Sequence, residues 1–251
     1  MPAVIYDGPS LLDHRTPIVV LLTGLSKKSS NRKTGNMLQT WILLKNQNPL
    51  DGIRDGIDAA ICGNCAHRGN GLKGRTCYVV PFLGPLGAWK GTRTPADIDT
   101  VAKGRYVRLG AYGDPAAVPF EIWERLTNNC LGWTGYTHQW RTCDQRLRWL
   151  VMASVESIAE RDQAKAMGWR TFRVGHGSEN KEGLMEMQCP ASEEAGKKLT
   201  CNECLYCAGI TKFKGDVFIR AHGAGKGIFN RRVVPIIPKT AQVPLLAGLH
   251  P

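Results

Sequence analysis

Apolar runs separated by polar or glycine-bearing segments recur along the chain, and their lengths are those of strands. Residues 17–24 (PIVVLLTG) and 37–45 (MLQTWILLK) read as two buried strands joined by a basic loop. Further strands are predicted at 106–112, 133–138, 149–155, 170–174 and 216–221. Three segments carry helical patterning instead: 51–60, 119–130 and 157–167. In the second, Phe120, Ile122, Trp123 and Leu126 make the apolar side. In the third, Ser157 is the expected N-cap and Gly168 stands just past the end. Trp41, Trp123 and Trp149 are expected in the core. Strands alternating with helices predict an α/β fold with a parallel sheet. Polar and glycine positions repeatedly follow the strand ends: Gly113-Asp114, His138, Glu156, His176 and His222-Gly223. Ligand sites of α/β proteins occupy that edge. One join conflicts with the pattern: residues 140–149 are too few for a parallel crossover. Either a strand there is misplaced or the sheet is irregular.

Composition narrows the class. A chain of 251 residues, 43% hydrophobic and 22% charged, can bury a core without disulfide staples. It is expected to form a single domain over 1–251, with the core at about 17–227. A cysteine-rich insertion at about 182–212 and a basic, extended C-terminal tail over 228–251 complete the expectation. No apolar run approaches the ~18 residues of a membrane span. No basic segment followed by an apolar one opens the chain. A cytoplasmic protein without a membrane partner is therefore expected.

Nine cysteines are then unlikely to be a disulfide framework and read better as metal ligands. Four form a group: Cys189-Pro190, then Cys201-x2-Cys204-x2-Cys207. Four thiolates suit either a [4Fe–4S] cluster or a tetrahedral zinc. Three consecutive ligands at this spacing, and a proline after the distant cysteine, favour the cluster. A second group has three cysteines, Cys62, Cys65 and Cys77, spread over sixteen positions. His67 could complete it as a Cys3His zinc site. Alternatively, three thiolates hold a [4Fe–4S] cluster and leave one iron open for chemistry. Cys130 and Cys143 read as small core residues.

Six short stretches, in their order, resemble those of bacteriophage and mobile-element proteins related to the radical S-adenosylmethionine superfamily. They are SNRKTG at 30–35, TCY at 76–78, RLGAYGD at 108–114, GYTH at 135–138, MASVES at 152–157 and AHGAGKG at 221–227. The resemblance implies a partial or irregular (β/α) barrel, similar to a TIM barrel, with parallel strands and an iron–sulfur cluster near an early strand. It implies a host-cell cytoplasmic location for a phage-encoded protein. Superfamily members usually carry Cys-x3-Cys-x2-Cys with an aromatic before the last cysteine; here the spacing is wider and Tyr78 follows Cys77. The resemblance also implies S-adenosylmethionine as cofactor, with Gly110, Gly113, Asp114, Ser154 and Glu156 contacting it. Asp114, His138, Glu156 and His176 are the candidate catalytic groups. Each has a plainer reading as a turn, helix-start or structural residue.

Charge supplies the competing class. The net charge is +12, and half of it falls in residues 208–251, where Lys212, Lys214, Arg220, Lys226, Arg231, Arg232 and Lys239 face Asp216 alone. Together with the loop of Lys27, Lys28, Ser30, Arg32, Lys33 and Thr34, this basic balance suits a nucleotide or nucleic-acid partner. Arg32, Lys33, Thr34, Lys226, Arg231 and Arg232 are the phosphate-contact candidates. Neither basic segment has the spacing of a P-loop. In that class both cysteine groups are structural zinc or iron–sulfur sites of a replication or DNA-modification protein, and exposed tryptophans stack on bases.

Overall fold

The computed structural model describes residues 1–26, 31–70, 74–176, 185–212, 215–223 and 225–233. Its strands are β1 (Ala3–Pro9), β2 (Pro17–Thr23), β3 (Leu38–Leu44), β4 (Thr94–Pro95), β5 (Tyr106–Tyr112), β6 (Gly132–Thr137), β7 (Met152–Val155), β8 (Thr171–Gly175), β9 (Glu186–Gln188) and β10 (Asp216–Arg220). They form one sheet in the order β4-β1-β2-β3-β5-β6-β7-β8-β10-β9. From β3 to β9 every neighbouring pair is parallel. The exceptions are β1–β2 and β2–β3, which are antiparallel. The unbroken apolar run of β2 follows from burial on both faces: Ile18 to Leu22 are all within 1% of full burial.

The predicted strands match within a few residues, apart from one. Residues 145–149 form a 3-10 helix, and β7 starts only at Met152. Fourteen residues therefore join β6 to β7, enough for a parallel crossover. Placing Trp149 on this helix leaves it 45% exposed, against the expected core position. Trp123 is fully buried, and its indole N–H donates to the Pro115 carbonyl. Residues 51–60 split into two short helices, Pro49–Arg54 and Ala59–Cys62. The helix Phe120–Asn128 and the helix Ile158–Ala166 lie where the periodicity puts them. The Ser157 hydroxyl accepts the Glu160 N–H at 3.1 Å, as an N-cap should. Helix Lys226–Val233 replaces the first part of the expected extended tail. Lys27, Lys28, Ser30, Lys214 and Lys239 lie outside the described residues.

Strand register sets which side chains share a face. Arg108 pairs with Thr134, Tyr136 with Met152, Ser154 with Phe172, Phe172 with Val217 and Val174 with Ile219. Because side chains alternate with period two, these residues form one continuous row across five strands. The opposite face, with Leu109, Ala153 and Val155, packs into the main core with Trp123 and Leu126. Phe172, Val217 and Ile219 instead cluster with Cys189, Cys207 and Ala191. The cysteine-bearing segments thus cover one face of the parallel half of the sheet.

Candidate functional site

That face encloses a cavity of about 340 Å³. Its wall takes alternate residues from the strands, including Arg108 and Gly110 of β5, Tyr136 of β6, Ser154 of β7 and Val174 of β8. The loops beyond the strand ends complete it. Cys62, Cys65 and Cys77 all line this cavity. Backbone geometry explains how a wide spacing brings them together. Cys62 ends its helix, and the Cys65 N–H donates to the Cys62 carbonyl at 3.2 Å. The His67 carbonyl then accepts the N–H groups of both Thr76 and Cys77 at 3.0 Å, folding the loop back on itself. Burial pushes the Cys62 thiol well up, reinforced by Cys65 and Cys77. Burial also raises Cys77, opposed by the Arg75 guanidinium.

Beside the thiols, His67, His138 and Glu156 converge. Glu156 Oε1 lies 3.3 Å from His67 Nε2 and 3.1 Å from His138 Nε2. Burial resists the charge on Glu156, but the two imidazoles outweigh it and hold the carboxyl well below its usual range. His138 is raised in spite of its burial, by the Cys65 sulfur and Glu156. The backbone at Glu156 is itself fixed, since its N–H donates to Glu160 Oε2 at 3.0 Å.

Asp114 lies in the cavity wall, but protein donors already occupy its carboxylate. Oδ1 accepts from the Ala116 N–H at 3.0 Å and the Thr137 hydroxyl at 2.6 Å; Oδ2 accepts the His138 N–H at 2.8 Å. It therefore ties the end of β5 to the end of β6 and sets the height of His138. Gly113 has φ +79°, and a Cβ there would stand 2.6 Å from the Ile42 Cβ. Its glycine is required by packing against β3. Gly110, Gly113, Asp114, Ser154 and His138 all reach the cavity wall, whereas His176 stands half-buried just past β8 outside it.

The second cysteine group surrounds a smaller pocket behind Tyr136. Cys189, Cys201, Cys204 and Cys207 line it together. The Cys189 N–H bonds to the Phe218 carbonyl, and the Cys207 carbonyl accepts the Gly135 N–H. The helix Cys201–Cys204 is started by a Thr200/Glu203 capping box. Burial raises the thiols of Cys201, Cys204 and Cys207, and Cys189 adds to the effect on each. Cys130 and Cys143 are half-buried and pack on the main core.

Of the phosphate candidates, Lys33 and Lys226 line the cavity. Thr34 does not serve: it is fully buried, and its hydroxyl donates to the Asn31 carbonyl at 3.1 Å. Arg32 and Arg231 are exposed, and the Arg232 side chain lies outside the described residues. Sequence reasoning missed Arg75, Arg108, Tyr78, Tyr112 and Phe229, which also face the cavity. Arg108 reaches the Tyr78 hydroxyl and the field of Cys201, so it stands between the two cysteine groups. Its position follows from strand register, which no local pattern in the chain announces.

The fold and site define a mixed α/β protein with a cysteine-lined cavity on one face of a mostly parallel sheet. No family, curated protein or solved structure matches the chain. Among the described residues no helix is long and apolar enough to cross a membrane.

Proposed function

We propose that the chain is an iron–sulfur protein whose parallel strands form a radical-SAM-like partial barrel. Cys62, Cys65 and Cys77 would hold a [4Fe–4S] cluster with one iron facing the cavity. Cys189, Cys201, Cys204 and Cys207 would hold a second, fully ligated one. The observation that carries this reading is the gathering of three thiols, from a loop spread over sixteen positions, onto one wall of a cavity that can admit a ligand. Thiols are the donors that such clusters take. Among the described residues, neither group draws three sulfurs to the spacing of a single ion. A zinc tetrahedron with 2.3 Å bonds has edges of about 3.8 Å. A wider spread suits thiolates bound to separate irons of a cube.

When bound, a cluster with an open iron supplies one electron to an S-adenosylmethionine held there, cleaving a carbon–sulfur bond. The chain's own residues do the rest. Tyr136, Phe172, Val174 and Ile219 make the wall apolar and exclude water. Arg75, Arg108, Lys33 and Lys226 give the cavity a positive field that favours an anionic ligand, such as a carboxylate or nucleotide phosphate. Asp114 holds β5 and β6 at fixed height.

Anaerobic purification with iron, sulfide and zinc analysis tests the reading. About eight irons and eight sulfides per chain, with broad brown absorbance, are expected for two clusters. Cys77→Ser should remove about half of the iron, and Cys207→Ser the other half together with thermal stability. Two zincs and a colourless protein would instead support the alternative, a structural metalloprotein binding nucleic acid with steep salt dependence. Cleavage to 5′-deoxyadenosine under reduction tests the chemistry.

A further inference from the structure

His67, His138 and Glu156 form a second kind of site beside the cysteines. Among the described residues they are the one group of three or more His, Cys, Asp or Glu ligand atoms all within 4.8 Å of one another. The two edges to Glu156 Oε1 measure 3.3 and 3.1 Å. Bonds of about 2.1 Å give edges of about 3.0 Å in an octahedron and 3.4 Å in a tetrahedron. Both edges fall in the range of ligands around one ion, which is also the range of an imidazole–carboxylate ion pair.

Three further observations point the same way. His138 Nε2 and Glu156 Oε1 are fully buried and electrostatically paired 3.1 Å apart, but that contact does not complete the bonding capacity of either atom. A shared metal ion is a partner that would complete it. Next, His67 Nδ1 is engaged with the Thr76 hydroxyl at 2.8 Å, which fixes the ring and leaves Nε2 for Glu156's side. Metal-binding imidazoles are commonly oriented by a bond at the other nitrogen. Finally, Phe229 stacks on His67 with ring centres 5.4 Å apart, and His138 meets it edge-on. These contacts hold both rings in place, and both rings line the cavity.

We propose that His67 Nε2, His138 Nε2 and Glu156 Oε1 bind one divalent first-row transition-metal ion, with its remaining positions open to the cavity. Two imidazoles select an ion of the Fe(II), Co(II) or Zn(II) kind over magnesium or calcium. The open positions take an oxygen donor, water or a ligand carboxylate. None of the three ligands is a cysteine, although the Cys65 sulfur reaches His138, so metal binding here and cluster content are measured separately.

The probe is Co(II), added to the anaerobically purified full-length chain. Cobalt X-ray absorption reports its ligands without interference from iron. One equivalent is expected to bind, with a nitrogen and oxygen shell containing imidazole and no sulfur. His67→Ala and Glu156→Gln should each weaken binding by about 100-fold or more, and His14→Asn, at an exposed histidine outside the cavity lining, by less than about threefold. A sulfur shell, no binding by the wild-type chain, or unchanged affinity in a folded Glu156→Gln variant would overturn the site. If Glu156→Gln does not fold, the wild-type cobalt shell and the His67→Ala affinity decide. Iron and sulfide measured on the same sample report separately on the clusters, so either reading can fail while the other stands.

Discussion

Removing the Glu186 carboxylate should loosen the cysteine-rich face of the sheet. Glu186 on β9 faces Arg173 on β8 across β10, with side chains 2% and 0% exposed. The pair is two-pronged: Arg173 Nε meets Oε1 at 2.9 Å, and Nη2 meets Oε2 at 2.6 Å. Arg161 Nε adds a third contact to Oε1 at 3.5 Å. Glu186→Ala therefore removes the two-pronged carboxylate from the buried Arg173 guanidinium and one contact from Arg161, which keeps Asp162 and Asp216. With charge centres about 4 Å apart and an effective dielectric near 20, the lost attraction is about 4 kcal/mol. Breaking buried pairs by removing one partner costs about 3–5 kcal/mol. For a chain of this size that lowers the melting temperature by roughly 8–16 °C. Because β9 leads directly into Cys189, alkylation of that thiol should also speed up in the variant. The double variant Arg173→Met/Glu186→Leu removes both charges and should regain most of the loss, since apolar replacement of a buried pair is close to neutral. Differential scanning fluorimetry and peptide mapping provide the readouts. Melting of Glu186→Ala within about 2 °C of wild type, on the same scale, would refute the argument.

Other consequences are equally direct. Burial, helped by Asp114, pushes the Cys143 thiol up to about 12. At pH 8 only about one part in 10⁴ is then thiolate, against about a quarter for an ordinary cysteine. Iodoacetamide should spare Cys143 in the native chain, with labelling rising tenfold per pH unit; labelling at the rate of an unfolded control contradicts this. Gly113→Ala must hold a left-handed backbone and meet Ile42, so a loss of about 3 kcal/mol is expected in urea denaturation. A loss below about 0.5 kcal/mol, the scale of neutral surface changes, would mean β5 can shift. Ser157→Ala removes the cap of the helix after Glu156, at about 1 kcal/mol; an unchanged denaturation midpoint would deny the cap any role.

Elements with strong local signatures were legible in the chain. The runs of β2, β3, β5, β8 and β10, the amphipathic helix 120–128 and the Ser157 cap each declare themselves within a dozen residues. Cys-x2-Cys spacing is likewise a local property of a turn, whereas the approach of Cys77 to Cys62 and of Cys189 to Cys201 is set at a distance. What escaped was weaker locally or set at a distance. The edge strands β1, β4 and β9 are short or interrupted by polar residues, and their partners are non-local. Trp149 could pass for a strand residue until the requirement of a longer crossover moved it to a helix.

The amino-acid sequence by itself determined the strand and helix segments, the class α/β, and which residues carry metal-binding or proton-binding chemistry. Tertiary structure alone decided which of these meet. Parallel register put Arg108, Tyr136, Ser154 and Val174 on one wall and His138 beside Glu156, and the folded-back loop after Cys62 brought His67 to them. Side-chain chemistry is written residue by residue, but proximity between residues 67, 138 and 156 is a property of strand order and twist. The physical reason is that register between distant strands is fixed by burial of whole faces, summed over the sheet, and no single segment contains that sum.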